Sequence, residues 1–269
     1  MDICDPHIHM ISRVTDDYEK MALAGYRIVV EPSFWVGEPR TTAGTFKDYF
    51  NHILRFEGDR ARGYGVAHYA CIALNPREAN DRALAKDVLA IMEEFLGHER
   101  CVAVGEVGFD DITPAEEEAV HAQLAMARKH DLPVMFHTPH RNKKAGVARL
   151  IALCKEHELP AERILIDHNT EETIGLCREW GCWAGHTVYP VTKLNPERAV
   201  NIMDEHGIER LMVNSSADWG PSDSLSVSRV AVEMRKRGYT PEQVRKVVWD
   251  NPMGFYALSG KTLAPHVGR

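Results

Sequence analysis

Two histidines, His7 and His9, stand two residues apart in the opening stretch MDICDPHIHM. Side chains at i and i+2 of an extended strand leave the same face, so this spacing lets both imidazoles reach one point. Other apolar runs close on ionisable residues in the same manner. Glu106 lies near the end of CVAVGEVGF, His137 near the end of LPVMFHTP, Asp167 and His168 close RILIDHN, and Asp218 follows RLMVNSSA. Each has an ordinary explanation when taken alone. A strand-end histidine can be a polar core residue, Glu106 can cap the next helix, and Asp218 can serve an Asx turn. Recurrence at matching ends of five strands points instead to a shared metal site built from His7, His9, Glu106, His137, His168 and Asp218. Imidazole with carboxylate suits zinc, manganese, nickel or iron, with magnesium possible, and the lack of thiolate ligands argues against a purely structural zinc site. Six ligands exceed what one tetrahedral ion takes, so two divalent ions sharing a carboxylate are expected. Glu106, the one glutamate of the set and on the middle strand, is the expected bridge.

Two such ions lower the pKa of a water between them and polarise a phosphoryl or carbonyl oxygen. Asp218, at the end of the last strand, is the expected catalytic residue: it can take the proton from that water and pass it to the leaving group. Ser215 and Ser216 lack the glycine pattern of a nucleophile elbow, and no serine or cysteine nucleophile is required. His68 in ARGYGVAHYACI and His186 in CWAGHTVYP are expected near the same mouth, as candidates for orienting substrate or neutralising charge. HTPHRNKK places His140, Arg141, Lys143 and Lys144 where cations can meet an anionic substrate. Trp35, Phe109, Tyr189 and Trp219 are candidate pocket walls.

These residues need a scaffold that brings strand ends to one place. Eight β-rich runs alternate with helical stretches; YRIVVEPSFW, ARGYGVAHYACI and CWAGHTVYP join the five already quoted. Helices are expected over Arg77 to Leu96, in TPAEEEAVHAQLAMARKH, in KKAGVARLIALCKEHE and in NPERAVNIMDEHG, two of which open on a Thr-Pro or Asn-Pro start signal. Eight alternating units predict the α/β class, as a single (β/α)8 TIM barrel occupying residues 1–269 as one domain. Strand ends in such a barrel open on one face, which carries the chemistry. The rival, an open doubly wound sheet, usually has a glycine-rich turn after its first strand, and none is present.

Bulk properties limit the partners. The 269 residues suit one barrel, and 44% hydrophobic content suffices for its core. A formal net charge of −7 disfavours a dedicated nucleic-acid or anionic-membrane binder. The six cysteines contain no C-x-x-C pair, and no run approaches a membrane span. A reduced, cytoplasmic enzyme acting on a small molecule is the expectation; the number of subunits is left open.

DPHIHM, GEVGFD, the strand-end His137 and His168 and the late Asp218 together resemble the TatD type of metal-dependent TIM-barrel hydrolase, within the amidohydrolase superfamily. The resemblance covers essentially the whole chain. It implies that His7, His9 and Asp218 hold one metal, that His137 and His168 hold the second, and that Glu106 bridges them. Two segments depart from the family pattern: His68 in AHYACIALNP is not followed by proline, and NSSADWG replaces a glutamate-threonine-aspartate run. Both touch the substrate pocket rather than the ligands. Hydrolysis of a small-molecule ester (phosphoester or lactone) or amide is therefore expected. A TatD-like deoxyribonuclease or phosphodiesterase is the alternative, and a metal-dependent decarboxylase the lesser one.

Overall fold

The computed structural model describes residues 1–265. Eight strands form one parallel sheet in chain order: β1 (Ile3–Asp5), β2 (Tyr26–Pro32), β3 (Ala67–Ile72), β4 (Cys101–Gly108), β5 (Val134–His137), β6 (Ile164–Ile166), β7 (Trp183–Thr187) and β8 (Leu211–Asn214). Each neighbouring pair is parallel, and helices fill the connections, as the expected (β/α)8 barrel requires.

Closure between β8 and β1 runs through the segments just beyond the strands. Ser216 N–H donates to His7 O at 2.7 Å, His9 N–H to Ala217 O at 3.0 Å, and Ser215 N–H to the Asp5 carboxylate at 3.3 Å. Ile8 N–H continues the ladder onto Val30 O at 3.1 Å. His7 and His9 thus lie past the short β1, in a stretch kept extended from both sides.

Two apolar layers hold the barrel. Cys4, Ile28, Val30, Ala67, Cys71, Ala103, Met135, Leu165 and Met212 fill its interior, together with Phe255 and Tyr256 of the last helix, Asn251–Ala257. Their alternates Ile3, Val29, Ala70, Ile72, Val104, Val134, Phe136, Ile164, Ile166, Leu211 and Val213 face the helices. The same alternation continues upward: His137 follows Met135, Asp167 follows Leu165 and Asn214 follows Met212, so apolar interior gives way to polar mouth two residues later.

The expected helices form over Arg82–Leu96, Pro114–Lys129, Lys143–Glu156 and Pro196–His206, the first preceded by a separate turn at Pro76–Ala79. Thr113 and Glu116 close a capping box, and the Asn195 side chain accepts from Arg198 N–H. The helices Thr15–Leu23 and Ile174–Trp180, and the helical segments within 43–62 and 226–257, are additions to the sequence reading. All six cysteines are buried and unpaired. Among the described residues no helix is long and apolar enough to cross a membrane.

Candidate metal centre

At the mouth, ligand atoms of His7 (after β1), Glu106 (β4) and His168 (after β6) lie within 4.8 Å of one another, all three residues buried. Glu106 Oε1 is the hub, 3.5 Å from His7 Nε2, 3.3 Å from His137 Nδ1 and 3.2 Å from His168 Nε2. His7 Nε2 also faces His9 Nε2 at 3.0 Å. Two imidazole nitrogens at about 2.0–2.1 Å from one tetrahedral ion stand about 3.3 Å apart, so this edge fits a shared cation.

The second nitrogens of His7 and His168 are held from behind. Asp167 Oδ2 lies 2.5 Å from His7 Nδ1, and the Thr187 hydroxyl lies 2.6 Å from His168 Nδ1. Such outer contacts aim the remaining nitrogen at a metal and raise its basicity. Asp167 is fixed in turn, because Asn214 Nδ2 donates to its Oδ1 at 2.9 Å. Gly185 makes room for it: a Cβ there would stand 2.2 Å from that oxygen. Strand alternation that points Asp167 inward would point His168 outward. His168 instead takes a left-handed φ of 58°, uncommon outside glycine, and its ring returns to the mouth.

The sequence from residue 4 to 257 matches the family described as TatD related DNase. The chain belongs to that family. A metal-dependent hydrolase of Methanocaldococcus jannaschii, itself uncharacterised, is 28% identical over 258 residues, covering 94% of this chain and 99% of that one. The solved TatD-like protein of Archaeoglobus fulgidus superposes with a TM-score of 0.78 at 24% identity, covering 96% of this chain and 100% of that one. The phosphotriesterase homology protein of Escherichia coli, solved with phosphate in its active site, gives 0.68 at 17% identity, covering 95% of this chain and 98% of that one. The protein is thus a TatD-type, metal-dependent hydrolase on a TIM barrel.

In this TatD-family chain the cluster's charges are set by proximity. Burial works to raise the Glu106 carboxyl, but the His7 charge and hydrogen bonds from His137 and His168 hold it well below the usual carboxylate range. Burial likewise opposes charge on His7, yet Glu106 and Asp167 raise it above an ordinary imidazole. His9 and His168 are driven well down, His9 by burial and the His7 charge, His168 by burial and Lys193. Neutral imidazole is the form that ligates metal.

The remaining predicted residues divide by position. A cavity of about 630 Å³ opens over the cluster, lined by His9, Glu106, His137 and His168 and also by His140, Tyr189 and Asp218. Asp218 faces it from outside the three-residue cluster. Its Oδ1 accepts from the Tyr189 hydroxyl at 2.7 Å and from Gly220 N–H at 2.9 Å, an Asx-type turn that holds the carboxylate in place. Burial and the charge of Lys193 bring His140 down to about 4. Arg141 turns away to solvent beside Asp111. His68 and His186 do not line the cavity. Both are buried behind the barrel wall, where β3 and β7 present the opposite parity, His68 against Glu31 at 2.7 Å and His186 with neither ring nitrogen partnered. Phe109 is buried in the outer core, whereas Trp35 and Trp219 reach the cavity and Phe34 stacks on His9 with centroids 3.6 Å apart.

Lys193 is absent from the sequence reading altogether. It comes from the loop after β7, and its Nζ lies 3.1 and 3.4 Å from the two ring nitrogens of His168. No motif or periodicity marks it.

Proposed function

We propose that this hydrolase cleaves a small-molecule phosphoester, using divalent ions that His7, His9, Glu106, His137 and His168 would hold, with Glu106 as the ligand available to both. The observation that carries the reading is the floor of the cavity: nitrogens of His7 and His168 converge on one Glu106 oxygen, while Asp167 and Thr187 occupy the far side of each ring. Bound there, divalent ions supply Lewis acidity and an acidified water.

The chain's own residues supply the rest. Asp218 would receive the water's proton, a role supported by its free oxygen: Tyr189 and Gly220 occupy Oδ1, and Oδ2 has no hydrogen-bond partner among the described residues. Asp218 would also complete the ligands of the first metal. Protonated Asp218 then delivers the proton to the leaving oxygen. Arg13 steadies this loop, donating to Asp218 O at 2.8 Å and to Ser222 Oγ at 3.2 Å. Phe34, Trp35 and Trp219 give apolar walls for the organic part of the substrate, in a volume usual for small-molecule sites.

Phosphate in the active site of the Escherichia coli protein of the same fold supports the phosphoester reading, and a phosphotriesterase-like lactonase of Deinococcus radiodurans on the same fold keeps the lactone as the second reading. The test is a panel of phosphomonoesters, phosphodiesters, lactones, amides and duplex DNA with metal-loaded protein. Turnover highest on a small phosphoester is expected. Faster cleavage of DNA would replace this reading with the deoxyribonuclease one, and faster lactone or amide turnover would move the scissile bond.

A further inference from the structure

A smaller cavity of about 240 Å³ adjoins the main one and shares His140, His168, Thr192 and Lys193 with it. Its walls bring together two lysines that sequence distance separates, Lys143 at the start of helix Lys143–Glu156 and Lys193 after β7. Lys143 Nζ donates to the Thr138 hydroxyl at 2.8 Å and lies 3.4 Å from its carbonyl, and Lys193 Nζ meets the His168 ring and stands 5.8 Å from the centre of the Tyr189 ring. Neither ammonium forms an ion pair with a carboxylate among the described residues. Glu172, the one carboxylate in the lining, is itself exposed.

Two half-buried like charges facing one pocket, neither of them ion-paired, repel each other. The cost is visible on Lys143, which burial and the neighbouring Lys193 pull down to about 8. Lys143 also sits at the positive end of its helix dipole, which adds to the repulsion. A chain that needed only packing would be better served here by apolar side chains. An anion between the lysines removes the penalty, and the Thr192 hydroxyl on the same wall is a further donor.

We propose that this side pocket is a subsite for a second anionic group of the substrate, a phosphate-class oxyanion carried a few atoms from the bond that is cleaved. Lys143 and Lys193 neutralise it, and Lys193, standing on the shared wall, couples its position to the metal cluster. The substrate class is then a small molecule with two anionic centres, one over the cluster and one in the side pocket. The assignment of the first centre rests on the phosphoester reading above; the side pocket does not.

Inorganic phosphate is the probe, titrated by calorimetry into the metal-loaded full chain and into Lys143→Met, Lys193→Met and, as a distant control, Lys86→Met. The wild type is expected to bind one phosphate more than either pocket variant, or to bind it about 10-fold tighter, the scale of a lost charge-assisted contact. Lys86→Met should match the wild type, and Lys143→Arg should restore binding. Unchanged stoichiometry and affinity in both pocket variants, or no phosphate bound by the wild type, would overturn the subsite. If Lys193→Met unfolds, Lys143→Met decides alone. A protein that binds phosphate through the lysines yet cleaves no phosphoester in the panel would refute the phosphoester reading and leave the subsite standing.

Discussion

Two buried carboxyl–imidazole contacts of similar length behave in opposite ways. At the mouth, His7 and Asp167 meet at 2.5 Å; behind the barrel wall, His68 and Glu31 meet at 2.7 Å. In the first, burial is outweighed and both groups are driven towards charge: Glu106 and Asp167 raise His7, and the His168 and His7 charges lower Asp167. In the second, burial prevails and both are driven towards neutrality. His68 falls to about 4, and burial with the Glu57 charge lifts Glu31 well above the usual carboxylate range. The surroundings account for the difference. Glu31 is completed by Ile11 N–H at 2.9 Å, and Glu57 nearby is paired by Arg60 and Tyr18, so each carboxyl group has a complementary partner. At the mouth, His7 Nε2 faces His9 Nε2, nitrogen against nitrogen, and three imidazoles crowd one carboxylate oxygen. A network that serves stability pairs unlike groups; this one assembles like groups around a space, the arrangement a metal ion completes.

The comparison breaks most visibly if the mouth is emptied. His7→Ala with His9→Ala should abolish hydrolysis and lower metal content while thermal unfolding of the metal-free form stays near wild type, since this face serves function more than stability. Full rate and full metal content in the double variant would reduce the cluster to a polar core.

Asp218→Asn comes next. The amide oxygen still accepts from Tyr189 and Gly220, but no proton can be taken at neutral pH. We expect most of the metal to be retained and kcat to fall by roughly 10²–10⁴, or about 3–5.5 kcal/mol of barrier. Near wild-type kcat with intact metal would assign proton transfer to another group.

Asp167→Asn separates the aimed ring from the aimed charge. It should weaken metal binding by about 10–100-fold, read by competition with a chelating dye, with folding largely preserved.

The smallest effect lies behind the wall. His186 is buried with both nitrogens unpartnered and is lowered by burial to about 4. A histidine with a depressed folded value binds fewer protons folded than unfolded, so its stability contribution is lost as pH falls from about 6.5 to 4. His186→Leu should leave kcat unchanged, be neutral or stabilising at pH 7, and reduce the acid slope of unfolding by about one proton, up to about 1.4 kcal/mol per pH unit. Loss of kcat would return His186 to the site.

Much of this was legible in the alternation of residues. Met135 to His137 and Leu165 to Asp167 each step from interior to mouth by two, and eight such runs with helices between them specify a barrel. His68 and His186 show where that signal stops. Parallel strands are buried on both faces, so AHYACI and WAGHT carry apolar residues at either parity and do not declare which face their histidine takes. His168 departs from parity altogether, through a single left-handed residue that leaves no periodic trace. Lys193 was invisible for a different reason: it lies on an irregular loop and reaches His168 only when β6 and β7 are adjacent. The sequence makes Asp218 a candidate for ligand and shuttle at once; its hydrogen bonds to Tyr189 and Gly220 emerge only when the loop after β8 folds over the mouth.

The central claim, that the mouth cluster is a metal centre, is tested most directly by elemental mass spectrometry of the protein after reconstitution with excess zinc or manganese and removal of unbound ions. About two ions per chain are predicted, falling sharply in the His7→Ala, His9→Ala double variant. Saturation at one ion would contradict the shared Glu106 bridge, and a wild type that holds no more metal than the double variant would contradict the centre itself.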